Sequence, residues 1–357
     1  AFAAALAGAP GDAEGQTGTL GGEPRVERPS GRMVPARTAV VVAVVMLVIG
    51  LVGGWALART QGPDAAPTTP QIDASRASTD ASPWASHEAQ LVVVDRSGRQ
   101  QRGIPANRPW TPRISPDGRR VAYGAFGSGR NTSDLWVTDF ETGTTRRLTD
   151  DDSDSNDPQW SRDGASIVYS ASADDGKDVL VRPAGGGEAR VLARRAGTQF
   201  PSDWLRDGSA LLVTDEGGRN RRDIVVQPTD GSPAWPYAAT PAEETAARVS
   251  PDGRWVAYTS DESGQAEVYL DSYPRPIRRV AVSLGGGMHP VWRGDGRELY
   301  YWTDGALVAV QLGAASGDAP PPIGARTVLF RAPYQAGPNT MYDVSANGQQ
   351  FVIVRGL

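Results

Sequence analysis

The residue types that most often carry catalysis or bind metals are scarce in this chain. There is no cysteine, which excludes disulfides, thiolate nucleophiles and cysteine-bound zinc. The only histidines are His87, in a Pro-, Ser- and Asp-containing segment, and His289, in the loop GGGMHP before a predicted strand. A catalytic triad or a metal centre needs partners at defined geometry, and the sequence indicates none. We therefore interpret His289 as a surface loop residue.

An acidic run, DDDSDSND, has the spacing with which a calcium-binding loop begins. Asp150, Asp152 and Asp154 stand at alternate positions, as the first three ligands of such a loop do. The sixth position holds Ser155 instead of glycine, and the twelfth holds Ser161 instead of the closing glutamate. We favour an acidic loop between two repeats over a calcium site, with calcium binding as the alternative.

Signatures of hydrolases and nucleotide-binding proteins are also missing from the sequence. There is neither a GxSxG nucleophile elbow nor a GxxxxGK phosphate loop, and no cofactor is predicted for this chain. The formal net charge is −5, so no basic field over the whole chain favours nucleic acid as a partner. The sequence indicates binding instead of catalysis.

The elements that would position a site are visible as an internal repeat. A tight-turn dipeptide recurs six times at intervals of 43 to 52 residues. The copies are Asp117-Gly118, Asp163-Gly164, Asp207-Gly208, Asp252-Gly253, Asp295-Gly296 and Asn347-Gly348. Such turns join two antiparallel strands, and the interval suits one four-stranded blade per repeat.

Apolar residues flank the six turns in register. The positions four and six residues after each turn are apolar or aromatic, with the period of two that a half-buried strand requires. The position three residues before each turn is occupied by Ile114, Trp160, Trp204, Val249, Trp292 and Val344. We expect the three tryptophans to form blade core and not a ligand cage. The sequence thus predicts an all-β fold, a six-bladed β-propeller over residues 89–357.

The ring is expected to close with strands from both ends of this domain. The last hairpin, at 342–354, has no second strand pair after it. Residues 91–105 have the pattern of a second pair and no hairpin before them. We expect residues 91–105 to complete the last blade and remove the open edge of the ring.

Residues 38–59 are predicted to form one transmembrane helix. The run from Ala39 to Ala58 is uncharged and would span about 30 Å as a helix, the thickness of a bilayer core. A cleaved signal peptide is the alternative, since Ala56-Leu57-Ala58 has the form of a cleavage site. The length of the apolar run and of the segment before it favours the anchor.

The flanks of this predicted helix indicate its orientation. Four arginines lie within twenty residues on its N-terminal side and two on its C-terminal side, which predicts a cytoplasmic N-terminus and a periplasmic or extracellular propeller at a bacterial inner membrane. Residues 9–37 are predicted to be a disordered cytoplasmic tail and residues 60–88 a flexible linker. Gly50 and Gly54 have the spacing of a helix contact in a homodimer, a spacing that also arises by chance.

The repeats resemble those of TolB-like propellers of the PD40 type. The resemblance is carried by SPDG at 115–118 and 250–253, followed by RRVAY and RWVAY. More narrowly, LVVVDRSGR at 91–99 and YDVSANGQQFVI at 342–353 resemble the C-terminal sensor propeller of bacterial receptor-type serine/threonine protein kinases. In that family a kinase domain, a tail and one membrane helix precede the propeller, and AFAAALAG at 1–8 resembles the end of the last kinase helix.

The resemblance implies a sensing or protein-binding propeller that takes an unknown protein or small ligand at one face. The kinase core is absent: there is no HRD or DFG sequence, and the only lysine, Lys177, lies in a predicted hairpin. ATP and Mg would therefore be cofactors only of an upstream kinase domain. Two other hypotheses stay open. One is a TolB-like scaffold for envelope proteins with no kinase, and the other is a peptidase-associated propeller, which the missing nucleophile motif disfavours.

Overall fold

The computed structural model describes residues 89–127, 130–217, 221–334 and 339–356, and the regular elements in these ranges are β-strands. The predicted tail, helix and linker, with Gly50, Gly54 and His87, lie outside these ranges. The described ranges contain no helix that is long and apolar enough to cross a bilayer.

Short turns connect the strands, which follow one another antiparallel for most of the chain. In chain order the strands of the described ranges are β1 (Ala89–Asp95), β2 (Gln100–Ile104), β3 (Trp110–Ile114), β4 (Arg120–Phe126), β5 (Ser133–Asp139), β6 (Thr145–Arg147), β7 (Ser155–Trp160), β8 (Ser166–Ala173), β9 (Gly176–Pro183), β10 (Arg190–Ala193), β11 (Gly197–Trp204), β12 (Ala210–Glu216), β13 (Asp223–Pro228), β14 (Trp235–Ala238), β15 (Glu244–Val249), β16 (Trp255–Ser260), β17 (Glu267–Ser272), β18 (Val280–Ala281), β19 (Met288–Trp292), β20 (Glu298–Thr303), β21 (Ala306–Leu312), β22 (Ile323–Arg331), β23 (Tyr342–Val344) and β24 (Gln350–Gly356).

These strands form five sheets. Strands β3 to β6, β15 to β18 and β19 to β22 each form a four-stranded sheet in chain order. A fourth sheet has the order β2-β1-β24-β23, in which β1 pairs with β24 from Ala89 opposite Gly356 to Asp95 opposite Gln350. Strands β7 to β14 form a single eight-stranded sheet. It consists of two antiparallel arrays joined by a short parallel pairing of β9 with β11.

The described residues form an all-β propeller, but the prediction of six separate blades is wrong. Four four-stranded sheets stand as separate blades, and the strands of the second and third repeats share the eight-stranded sheet. The cause lies at Gly176, whose φ is 145° and whose missing Cβ would collide with the Gly197 carbonyl. Glycine thus lets the two backbones approach closely enough to pair across the boundary between the repeats.

The first strand of each turn hairpin lies at the centre of the propeller. Strands β3, β7, β11, β15, β19 and β23 contact one another in turn, and β23 contacts β3. This closed cycle surrounds a channel. Apolar clusters fill the space between neighbouring sheets, for example Tyr300 and Trp302 of β20 with Phe351 of β24.

The six turns with recurring Asp-Gly or Asn-Gly connect these inner strands to their partners. The turn glycines, Gly118, Gly164, Gly208, Gly253, Gly296 and Gly348, have φ between 68° and 78°, the left-handed region that favours glycine. The side chain before the glycine holds the turn. Asp117 Oδ1, for instance, accepts hydrogen bonds from the Ser115 hydroxyl and the Arg119 N–H. The glycine conformation and these hydrogen bonds shape the turn.

Candidate functional site

Bulges in the inner strands aim side chains into the channel. The pairing register shifts within β3, β7, β15 and β19. At each shift a residue other than glycine has a positive φ, and these residues are Thr111, Asp157, Ala246 and His289. Each of them stands six residues before its turn. Because a bulge changes which face a side chain takes, the residues two positions later face the channel.

A cavity of about 480 Å³ forms the mouth of the channel on the side of the six turns. The residues four positions before each turn line it, and they are Arg113, Gln159, Asp203, Arg248, Val291 and Asp343. Arg162, Arg206 and Arg293 beside the turns form its rim. Five arginines therefore face two aspartates, in a chain whose net charge is −5. The mouth is cationic.

Two buried arginines form the floor of this mouth. Arg113 and Arg248 are 5% and 7% exposed. The Gln159 Oε1 atom accepts a hydrogen bond from Arg113 Nε at 3.2 Å and from Arg248 Nη1 at 3.0 Å. Arg113 Nη1 also donates to the Thr340 carbonyl at 2.9 Å. Burial, together with the positive charge of Arg248, lowers the pKa of Arg113 to about 9.

The two aspartates of the mouth are engaged by the backbone of the next inner strand. Asp343 Oδ2 accepts the N–H of Ile114 at 2.8 Å, and Asp203 Oδ2 accepts the N–H of Val249 at 2.9 Å. Burial raises the pKa of Asp343, an effect that Arg113 and Arg248 oppose. These carboxylates therefore connect strands as well as contributing charge.

Asp157 lies on the far side of the arginine floor. It lines a small cavity of about 10 Å³ together with Arg113 and Arg248. Burial raises the pKa of Asp157 to about 6, while the charges of Lys177 and Arg113 act in the opposite direction. The floor thus separates the cationic mouth from a small cavity that contains one carboxylate.

The three repeat tryptophans hold the backbone of the channel residues. Each belongs to an apolar cluster between sheets. Their indole N–H groups also donate to carbonyls of the preceding inner strand: Trp160 to Arg113 at 2.9 Å, Trp204 to Gln159 at 3.5 Å and Trp292 to Arg248 at 3.0 Å. The tryptophans therefore fix the carbonyls beside the side chains that line the mouth.

The prediction that His289 is a surface loop residue is wrong. His289 lies in β19 and is 3% exposed. Its φ of 58° at the bulge turns the side chain inward, where Nδ1 lies 3.0 Å from the Tyr334 hydroxyl. It does not line the cationic mouth.

The acidic run lies away from the mouth, and its carboxylates bind different partners. Asp152 pairs with Arg130 at 2.8 Å. Asp154 accepts Lys177 Nζ at 2.7 Å through Oδ2 and the Ser133 N–H at 2.9 Å through Oδ1. The Asp150 side chain is exposed. Within the part of the chain that the structure describes, no three His, Cys, Asp or Glu residues are grouped to hold a metal ion.

Reasoning from the sequence missed the residues that line the mouth, although a signal for them exists. The sequence prediction considered only the apolar residue three positions before each turn. The residue four positions before the turn is polar in five of the six repeats, as Arg113, Gln159, Asp203, Arg248 and Asp343. A polar residue next to a buried one, repeated around a ring, indicates a shared polar channel.

Part of the sequence matches a known family. Residues 79–234 match the TolB beta propeller domain. "Uncharacterized peptidase YuxL" of Bacillus subtilis (strain 168) is 31% identical over 108 residues, which cover 29% of this chain and 16% of that protein. "Tricorn protease homolog 1" of Streptomyces coelicolor is 25% identical over 193 residues, which cover 50% of this chain and 18% of that protein. The chain thus spans less than a fifth of these relatives.

Solved structures share the fold at low sequence identity. The putative TolB from Agrobacterium tumefaciens is 17% identical, with a TM-score of 0.59 over 76% of this chain and 99% of that chain. This likeness concerns the fold alone. Together with the closed cycle of inner strands, it shows a β-propeller fold, and residues 79–234 of this fold are similar to the TolB beta propeller domain.

Proposed function

We propose that the propeller is a non-catalytic recognition module that binds an acidic protein partner at the cationic mouth of its channel. The observation that carries this proposal is the excess of arginine around a 480 Å³ cavity in a chain of net charge −5. Complementary charge guides a partner to its site and disfavours the wrong surface. An acidic partner is attracted to this mouth and repelled by the net charge elsewhere.

The rim arginines are accessible to a partner and are held in place. The Arg162 side chain is 43% exposed, and its Nη2 donates to the Trp204 carbonyl at 3.2 Å. Arg293 lies 3.5 Å from the Asp295 carboxylate, and Arg206 donates to the Pro251 carbonyl. Because anchored guanidinium groups lose little freedom on binding, they suit recognition.

The composition of the mouth supports binding over turnover. Its wall contains arginine, glutamine, aspartate, tryptophan and aliphatic residues, and no serine, lysine or histidine among the residues described. Its two carboxylates already accept backbone N–H groups. An activated nucleophile with a neighbouring base, the arrangement that covalent catalysis requires, is not assembled there.

As a finer proposal, the module is the extracytoplasmic sensor of a membrane-anchored serine/threonine kinase whose catalytic domain precedes Ala1. Its support is the apolar run at 39–58, the arginine bias around that run and the resemblance of the repeats. Pairing of two chains through Gly50 and Gly54 would then carry the signal. A reading frame upstream of Ala1 that encodes no kinase core would overturn this proposal and leave the recognition function standing.

A second candidate follows from the similarity to an uncharacterized peptidase and to a tricorn protease homolog. In this alternative the propeller belongs to a larger peptidase, and its mouth binds peptides. It predicts a peptidase domain in the same reading frame. If the reading frame encodes neither a kinase domain nor a peptidase domain, a TolB-like scaffold is the remaining alternative.

The recognition function can be tested with a fluorescent ten-residue peptide of alternating Glu and Ser and its Gln-Ser counterpart. We expect the full chain, in detergent, to bind the Glu peptide about tenfold more tightly in low salt. Arg162→Glu with Arg206→Glu should abolish the preference, whereas Arg119→Glu, at an exposed turn outside the mouth, should not. Equal binding of both peptides, or no effect of the rim variant, would contradict the proposal.

A further inference from the structure

We infer that the floor of the mouth is a carboxylate-binding subsite formed by Arg248, Arg113 and Gln159. The inference rests on the proposed recognition function and names the chemical group that the mouth recognises. It depends on which nitrogen atoms of the two arginines are already bonded.

Arg248 has one edge of its guanidinium group unpaired. Its Nε and Nη2 atoms are buried and have no hydrogen-bond partner among the described residues, while Nη1 is held by Gln159. Nε–H and Nη2 lie along the same edge of the planar group, the edge that accepts two carboxylate oxygens in a bidentate pair. The free edge therefore matches the geometry of a carboxylate.

No acidic side chain of the described residues completes this pair. No ion pair of the described residues involves Arg248 or Arg113. The carboxylates of Asp343 and Asp157 act on Arg113 from a greater distance, and Asp343 Oδ2 accepts the Ile114 N–H. A buried guanidinium edge without a hydrogen-bond acceptor is costly, and such groups in native proteins call for an explanation. A ligand anion that enters through the mouth provides one.

Arg113 contributes a second positive charge at the same place. Both arginines donate to one oxygen atom of Gln159, so Gln159 holds the two cations together at the floor. The nitrogen atoms of Arg113 that are bonded, Nε and Nη1, face Gln159 and backbone carbonyls. One bidentate edge provides two donors for the two oxygens of a carboxylate, whereas a phosphate has further oxygens that this edge does not reach.

The subsite can be tested by calorimetry on the full chain with succinate, uncharged succinamide and inorganic phosphate at constant ionic strength. We expect wild type to bind succinate and not succinamide, and to bind phosphate more weakly. Arg248→Lys keeps the charge but loses the bidentate edge, so it should bind succinate at least about tenfold more weakly. Arg119→Met, at an exposed turn outside the mouth, is the matched control and should bind as wild type does.

A second variant tests the subsite without removing an arginine. Gln159→Glu places a carboxylate between the two guanidinium groups, so it should raise the melting temperature and abolish succinate binding. Unchanged succinate binding in Arg248→Lys or Gln159→Glu, or tighter binding of phosphate than of succinate by wild type, would overturn the inference. If succinate fails to bind while the Glu peptide still binds through Arg162 and Arg206, only this subsite is wrong. Failure of the Glu peptide as well would remove the recognition function itself.

Discussion

Glu298 is the most extensively bonded buried acid of the described residues, and it connects the first turn of the domain to β20. Arg96 donates to its two oxygens at 2.8 and 2.9 Å, and the Tyr300 hydroxyl donates at 2.6 Å. Although burial alone would raise it, these hydrogen bonds lower the pKa of Glu298 to about 2. The carboxylate is thus charged in the folded protein at neutral pH.

The lowered pKa of Glu298 predicts a loss of stability in acid. Because the folded pKa is below the ordinary value of 4.5, the stabilisation is present above about pH 5 and is lost as the pH falls towards 2. This pKa difference corresponds to about 3 kcal/mol. Denaturant unfolding of wild type and Glu298→Gln should therefore show a gap in unfolding free energy at pH 7 that closes by about pH 2.

Glu141→Gln, at an exposed turn, is the control for this experiment and should track wild type throughout. A gap between wild type and Glu298→Gln that stays constant from pH 7 to pH 2 would show that the network stabilises the fold by packing and not by charge.

Between elements, neighbouring inner strands are joined by one of two kinds of hydrogen bond. Where the residue three positions before the turn is tryptophan, its indole donates to the carbonyl of the preceding inner strand. Where that residue is Ile114 or Val249, the preceding strand supplies an aspartate, Asp343 or Asp203, that accepts its N–H. Five of the six contacts between neighbouring inner strands in the described cycle contain one of these hydrogen bonds. Each bond fixes a residue that lines the mouth.

Because the indole N–H groups bond to the preceding strand, removal of one N–H group should measurably lower the stability. Trp292→Phe keeps most of the apolar contact but leaves the Arg248 carbonyl without its donor, which should cost about 1 kcal/mol in unfolding free energy. Trp235, whose side chain is 43% exposed, provides the control: Trp235→Phe should cost less than about 0.5 kcal/mol. Equal losses in the two variants would mean that the indole bond contributes nothing.

The sequence predicted the hairpins because turn chemistry and a period of two are local properties. The turns at Gly118 and its five counterparts were predicted in this way, and so were the apolar positions that fill the space between the sheets. The bulges could not be predicted, because the residues at which they occur share no residue type: Thr111, Asp157, Ala246 and His289. The sequence does show the repeated polar position that lines the channel. The meeting of Arg113 and Arg248 at Gln159 and the inward turn of His289 emerge only from the folded backbone. The merging of two repeats at Gly176 and Gly197 likewise depends on a contact between distant segments.

At the scale of the whole molecule, the two ends of the described domain meet in one sheet. Strand β1 lies between β2 and β24, and its apolar side chains face two different clusters. Val92 and Val94 pack with Tyr300 and Phe351 of β20 and β24, whereas Leu91 and Val93 pack against the blade that contains β4. The first strand therefore supports the ring on both sides of the sheet that it completes.

Removal of residues 89–105 should consequently prevent the ring from folding. The deletion takes away five buried side chains, Leu91, Val92, Val93, Val94 and Ile104, each of which contributes about 1.5 to 3 kcal/mol. Their sum is comparable to the 5 to 15 kcal/mol by which a whole domain is typically stable. It also removes Arg96, so that buried Glu298 keeps only the more distant Arg293 as a cation, at 3.5 Å. The deletion exposes β24 as an open edge, which favours aggregation. Calorimetry should show no cooperative unfolding transition, whereas a deletion of equal length in the predicted linker, residues 62–78, should leave the transition at its wild-type temperature. If both deletion variants unfold at the wild-type temperature, the ring does not depend on its first two strands. The remaining strands alone would then be sufficient to form the channel and its arginine floor.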